Sequence, residues 1–285
     1  MGDDVLIGEI KIGNKIYAID QTPKKYNSKV VHLVYSSDAM KKRKILEYNT
    51  DTVSGDPKAL QTSSLNQTQT ADMLLSVPTV DVMACYDSEF VSKFSTPSTE
   101  IQRIFNGLSS AYSPANMNFN IKAYKSYSIS NGDSDDVHDR FTTAASNDRD
   151  STNSDIAFLF SGKEMTGSAI GTSDIYTGSS SQAYGVAQMV SGGSLSSYQA
   201  TSTERVILTT HEIGHIFGAT HEEAYDWWNN YIYHYYTAMR TPFEGTSYPN
   251  YMQNEFSNLN NHGDSNHNNI LNIVLQKIAS LQQVI

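Results

Sequence analysis

An α/β fold is predicted by three features of this sequence. Apolar runs of strand length alternate with amphipathic helical segments. Gly, Asn and Pro punctuate the joints between them. An apolar run at helical spacing closes the chain. With 285 residues, 39% hydrophobic and 18% charged, the chain can bury a sizeable core, in one large domain or two modest ones.

Residues 5–12 and 15–19 read as two strands joined by the turn signal Gly13-Asn14, and residues 30–35 as a third. Residues 49–70 are polar, with Gly55-Asp56-Pro57 among them, and read as a linker. Residues 79–86 form the next strand. Thr96-Pro97 then suits an N-cap with proline in the first turn, and Ile101, Ile104, Phe105 and Leu108 recur at helical spacing. Residues 118–124 read as a strand, 137–145 as a helix and 155–160 as a buried strand. The stretch 161–197 is rich in Gly and Ser and is broken by residues 184–190, which read as an edge strand between loops. Ile270, Leu271, Ile273, Val274, Ile278 and Leu281 lie on one face of a closing C-terminal helix. No internal repeat is evident.

Twenty Lys and Arg stand against 30 Asp and Glu, a net charge of -10. No basic patch is visible to neutralise phosphates, so nucleic acid is not an expected partner. No apolar run approaches the roughly 20 residues that cross a bilayer, so no transmembrane segment is expected. Ser, Thr, Asn and Tyr abound, the texture of many secreted or surface proteins. Met1-Gly2-Asp3-Asp4 lacks the parts of a signal peptide, so export would imply a leader absent from this chain. The lone Cys85 excludes an intrachain disulfide and any multi-cysteine metal site, and in an apolar strand it reads as a small buried hydrophobe.

The chemistry concentrates in Thr209-Thr210-His211-Glu212-Ile213-Gly214-His215-Ile216-Phe217-Gly218-Ala219-Thr220-His221. On a helix starting near Thr203, His211 and His215 share one face and can offer nitrogens to one zinc ion. Glu212 points elsewhere but stays close enough to act as general base on zinc-activated water. Gly218 can end the helix in a left-handed conformation, letting the chain swing so that His221 supplies a third ligand and leaves one position open. Histidines four apart also occur by chance on surfaces, and Gly218 could be a plain C-cap. The extended HExxHxxGxxH spacing, flanked by Val206-Ile207-Leu208 and Ile216-Phe217, is far more specific. Asn131-Gly132-Asp133-Ser134-Asp135-Asp136 offers carboxylates to calcium but lacks EF-hand spacing, and reads as a solvated acidic turn.

This pattern resembles the metzincin zinc endopeptidases, over about residues 79–285. The resemblance implies a twisted, mostly parallel sheet with one antiparallel edge strand, an active-site helix and a C-terminal helix. It also implies a methionine turn, for which Met239 is the choice and Met252 the rival. Glu255-Phe256-Ser257-Asn258 resembles the segment after that turn in the adamalysin (reprolysin)-like branch and favours Met239. Glu222 after the third histidine is the residue astacins use, where adamalysins usually place Asp. Thr241 stands where astacins place a tyrosine, which favours the adamalysin-like branch.

The resemblance extends to organisation. The hairpin within residues 8–19 is similar to the propeptide of that branch, making 1–70 a prodomain-like segment and 71–285 the catalytic domain. The antiparallel edge strand is expected around Gly185, Val186 and Ala187, pairing with extended substrate, and Arg240, Thr241 and Pro242 would shape the pocket beyond the scissile bond. Val53-Ser54-Gly55-Asp56 is similar to the FxGD motif of astacin prodomains, so Asp56 is either a latency ligand or part of an ordinary surface turn. The implied protein is a secreted or cell-surface monomeric zymogen with one catalytic Zn2+ and peptide or protein substrates. A zinc-containing adhesion module, latent or only self-processing, is the alternative. Glu212 argues against it, since a structural zinc site gains nothing from a base there.

Overall fold

The computed structural model describes residues 6, 8–13, 15–36, 50–54, 79–113, 117–167, 169–175, 182–191, 198–219, 221, 226–229, 233–236, 238–239, 250–252 and 256. The expected C-terminal helix over residues 270–281 and most of the expected linker lie outside them.

Strands β1 (Gly8–Ile12), β2 (Lys15–Tyr26) and β3 (Lys29–Ser36) form an antiparallel sheet in the order β1-β2-β3. Gly13, at φ +60°, makes the first turn. β2 runs well past the expected residue 19 because Asn27 (φ 51°) and Ser28 (φ 64°) make the next tight turn, with Tyr26 paired to Lys29. Two consecutive positive φ values match the twist of a two-residue hairpin.

The main body follows. Its elements are β4 (Thr50–Ser54), β5 (Thr79–Tyr86), α1 (Ser88–Lys93), α2 (Pro97–Tyr112), β6 (Asn118–Ser126), α3 (Ser134–Ser151), β7 (Ile156–Ser161), β8 (Ala169–Asp174) and β9 (Tyr184–Gln188). Then come β10 (Val190–Ser191), β11 (Tyr198–Gln199), α4 (Ser202–Ile216), β12 (Asp226–Asn229), β13 (Tyr233–Tyr236) and β14 (Asn250–Met252). Strands alternate with helices as expected, and α1, α3 and β8 extend or add to what periodicity reveals. α3 is longer than its apolar core because Asp133 caps it, accepting from the Asp136 amide. No helix among the described residues is long and apolar enough to cross a membrane.

The central sheet runs in the order β4-β8-β9-β7-β5-β6. Strands β9, β7, β5 and β6 are parallel, and β8 pairs antiparallel with β9. A mostly parallel sheet with an antiparallel strand toward its edge is thus present, but the expected residues do not form that strand. Gly185, Val186 and Ala187 lie in β9, inside the sheet, between β7 and β8. Their backbone groups face strands on both sides, which excludes substrate pairing there. The antiparallel strand is β8, from a stretch that reads as loop. Along β8 lies β4, parallel to it, with Thr52 opposite Thr172, Val53 opposite Ser173 and Ser54 opposite Asp174. The first residues of the expected linker are therefore a strand.

Side chains of the inner strands alternate between the two faces and are buried on both, while β6 at the edge alternates exposed and half-buried. Val80, Val82 and Ala84 of β5 and Phe158 and Phe160 of β7 pack with α1, α2 and α4. Met83, Cys85, Ala157 and Leu159 point oppositely and pack against Val137, Phe141 and Ala145 of α3. Burial pushes the Cys85 thiol pKa up, so it stays a neutral core residue, as expected.

The N-terminal sheet is tied to the body by a buried charge cluster. Arg205 of α4 donates to Asp20 of β2 at 2.9 Å and to Glu100 of α2 at 2.7 Å, and its Nη1 reaches the Ala200 carbonyl. Burial opposes the Arg205 charge, but Glu100 and Asp20 outweigh it and raise its pKa. Tyr35 of β3 donates to Asp20 at 2.7 Å and accepts from the Ser202 amide at 3.0 Å.

Candidate metal centre

Helix α4 starts at a full capping box. Thr201 accepts from the Glu204 amide, and the Glu204 carboxylate accepts from the Thr201 amide at 2.7 Å. The helix packs along β8, β9 and α2, which buries it on nearly every side and fixes its rotation. His211 and His215 fall one turn apart, both buried. Gly218, at φ +88°, ends the helix, and its amide donates to the His215 carbonyl at 2.7 Å. The chain then brings half-buried His221 back to the other two.

The three Nε2 atoms form a near-equilateral triangle: 3.1 Å from His215 to His211, and 3.2 Å from His221 to each. His211 Nδ1 lies 2.6 Å from the Ala238 carbonyl and His215 Nδ1 2.8 Å from the Ala219 carbonyl. A carbonyl only accepts, so both Nδ1 atoms carry the proton and both Nε2 atoms present lone pairs. Lone pairs so close repel unless a cation joins them. Nitrogens about 2.0–2.1 Å from a tetrahedral ion stand about 3.3 Å apart, so the donor set fits zinc. The same carbonyls orient the rings, as outer partners of metal-ligating histidines do.

Met239 supports this from below. It is fully buried, and a Cβ placed on Gly214 would fall 2.6 Å from its Sδ. Glycine in a helix interior costs about 1 kcal/mol against alanine. Here it lets the turn holding Ala238 and Met239 press against the helix between the two histidines. Phe256 packs on the same spot, 3.1 Å from that Cβ position.

Glu212 is fully buried beside the triangle and faces β8. Its Oε2 accepts from Ser173 Oγ at 2.8 Å. A Cβ on Gly171 would fall 2.0 Å from its Oε1, so a side chain at that position would push the carboxylate out of its place over β8. Sequence reasoning does not single out Ser173 or Gly171. Both lie about 40 positions before Glu212, with no periodic signal linking them. At the end of β8, His138 of α3 donates from Nε2 to the Tyr184 carbonyl at 3.3 Å and lies 3.6 Å from Asp174 Oδ1. Burial works against its charge, but Asp174, that carbonyl and Asp139 together raise its pKa.

The structure thus brings His211, Glu212, His215, His221 and Met239 together. Gly185, Val186 and Ala187 belong to the sheet interior. Arg240, Thr241, Pro242 and Asp56 lie outside the described residues. The Met252 backbone lies in β14, paired with Tyr236.

A sequence model of metallopeptidase family M12 (Reprolysin_5) matches residues 77–258. The chain belongs to this family of metallopeptidases. No curated protein matches it. Among solved structures it is similar to the crystal structure of metalloproteinase-II from Bacteroides fragilis, with a TM-score of 0.51 and 10% identity over 94% of this chain and 75% of that one. That likeness concerns the fold. A structure of a chaperone-substrate complex is similar over 71% of this chain at 16% identity and a TM-score of 0.49, and the chain spans 35% of its length.

Proposed function

We propose that this chain is a secreted or cell-surface zinc endopeptidase that hydrolyses peptide bonds with Glu212 as general base. The observation that carries this reading is the Nε2 triangle of His211, His215 and His221 with a buried carboxylate beside it. Zinc held by these histidines would supply a Lewis acid that polarises the scissile carbonyl and lowers the pKa of water to roughly 7. Glu212 takes a proton from the attacking water and returns it to the amine leaving group, so no acyl-enzyme forms. Extended substrate would add to the outer edge of β8, where backbone donors and acceptors recognise main chain with little side-chain preference.

The same edge supports a reading of residues 1–70 as a latency segment on a monomeric catalytic domain. β4 occupies the edge of β8, so substrate and β4 would compete for one set of backbone partners. Two residues beyond β4, Asp56 is the candidate carboxylate to close the metal site in the uncleaved chain. Arg240, Thr241 and Pro242 are the candidates for the pocket beyond the scissile bond.

Glu212→Gln tests the mechanism. It should lower hydrolysis of a long peptide by about 100-fold or more while the protein keeps its zinc, because the amide cannot accept the proton yet removes no ligand. Activity within a few-fold of wild type would overturn it.

A further inference from the structure

We propose that Ser173 is a positioning residue for the general base, so that the strand receiving substrate also sets the aim of Glu212. This rests on the peptidase reading above and deepens it. Three features of β8 and its neighbour converge on one carboxylate. Ser173 Oγ donates to Glu212 Oε2 at 2.8 Å, with both side chains fully buried. Gly171, two residues earlier and on the same face of the strand, leaves the space that Glu212 Oε1 and Cδ fill, 2.0 and 2.4 Å from where a Cβ would stand. Gly185, opposite Ser173 in β9, leaves room for the serine and for the buried Phe158 ring together: a Cβ there would fall 2.7 Å from Ser173 Oγ and 2.9 Å from the ring.

A glutamate side chain has three rotatable bonds, and a base must be held within hydrogen-bond reach of the proton it takes. Burial alone restrains Glu212 but does not choose the plane of its carboxylate. The Ser173 hydroxyl chooses it by engaging one oxygen, while the floor at Gly171 sets how low the other can sit. Ser173 also lies opposite Val53 of β4 on the outer side of the sheet. The backbone that exchanges β4 for substrate is therefore the backbone that carries the base's orienting group. Substrate pairing along β8 fixes the strand and, through Ser173, the carboxylate. Effects of this kind act on turnover more than on binding, because the hydroxyl touches the base and not the substrate.

The test uses the zinc-loaded full chain, wild type and variants given the same limited proteolysis, and a quenched-fluorescence peptide. Ser173→Ala should lower kcat by at least tenfold with KM within twofold, as loss of an outer orienting partner typically does. Zinc content and Tm should match wild type. A crystal structure of Ser173→Ala should show the Glu212 carboxylate displaced or in more than one rotamer. An unchanged kcat with an unmoved carboxylate would overturn the inference, as would a fall in kcat explained by lost zinc. Should Ser173→Ala fold poorly, Ser173→Cys, nearly the same size but a weak donor, should reproduce the fall in kcat; a normal kcat there, in a folded and zinc-loaded protein, overturns the inference. If wild type does not cleave the peptide, or Glu212→Gln cleaves as well as wild type, the peptidase reading itself fails. Turnover by wild type, its loss in Glu212→Gln and its retention in Ser173→Ala remove the positioning role alone.

Discussion

Strands β8 and β9 are neighbours from the same Gly- and Ser-rich stretch, and every residue of both is buried. Their roles nevertheless differ. β9, Tyr-Gly-Val-Ala-Gln, is gripped by β7 on one side and β8 on the other. β8, Ala-Ile-Gly-Thr-Ser-Asp, has the regular parallel body only on its inner side, and on its outer side lies β4, contributed by the N-terminal segment. The more apolar strand holds the sheet together, and the strand with hydroxyls and a carboxylate meets the site. Burial of side chains says which faces are covered. It is silent about which backbone edge is available, because an edge is a property of pairing.

Proline substitutions break this comparison most forcefully. In β9, Ala187→Pro removes an amide from a strand with partners on both sides, so either neighbour loses a bond, and the ring clashes as well. A loss of about 3 kcal/mol or more is expected, a large part of the stability of an ordinary domain. Thermal melts should show an unfolded or strongly destabilised protein. Val53→Pro, on the outermost strand, should cost about 1 kcal/mol or less and raise peptide hydrolysis by the uncleaved chain, since β4 is then weakened on its edge. Equal destabilisation by the two would contradict the assignment of inner and outer strands.

The next contrast concerns what β8 holds against Glu212. Gly171→Ala puts a methyl where the carboxylate lies, so kcat should fall at least tenfold, about 1.4 kcal/mol in activation free energy. Zinc content, measured by metal analysis, should be unchanged. Wild-type turnover would mean that the carboxylate does not use that space.

The smallest effect is expected where β8 ends. His138 has its pKa raised above 6.5 in the folded protein, burial being outweighed by Asp174, the Tyr184 carbonyl and Asp139. Because the folded value lies above the unfolded one, its stabilising contribution is fully present below about pH 6.5 and fades as pH rises through the folded value. Replacing it with His138→Gln should cost about 1–2 kcal/mol at pH 6 and less at pH 8.5, read as a Tm difference that narrows. A gap that widens with pH would reverse the sign.

The contrast between these strands also explains what the sequence discloses. The candidate metal centre is legible because its parts are local: three histidines, the glutamate and the helix-ending glycine fall within eleven consecutive residues, and helical geometry converts their spacing into position. Helix α2 is legible for the same reason, with Ile101, Ile104, Phe105 and Leu108 all buried on one face. β8 is not, since Gly171, Thr172 and Ser173 have no strand-like apolar alternation, and only contact with β9, β4 and α4 makes them a strand. β4 is hidden in a polar stretch because its partner supplies the pairing. α1 is too short to show a period. Ser173 escapes notice because its role comes from a contact spanning 39 positions.

The central claim is that His211, His215 and His221 hold one zinc ion through Nε2. X-ray absorption spectroscopy on the purified, zinc-loaded chain tests it directly, with His221→Ala alongside. The account predicts one equivalent of zinc with three imidazole nitrogens at about 2.0–2.1 Å, reduced to two with weakened retention in the variant. No tightly held zinc, or a full equivalent with unchanged ligation in His221→Ala, would contradict it.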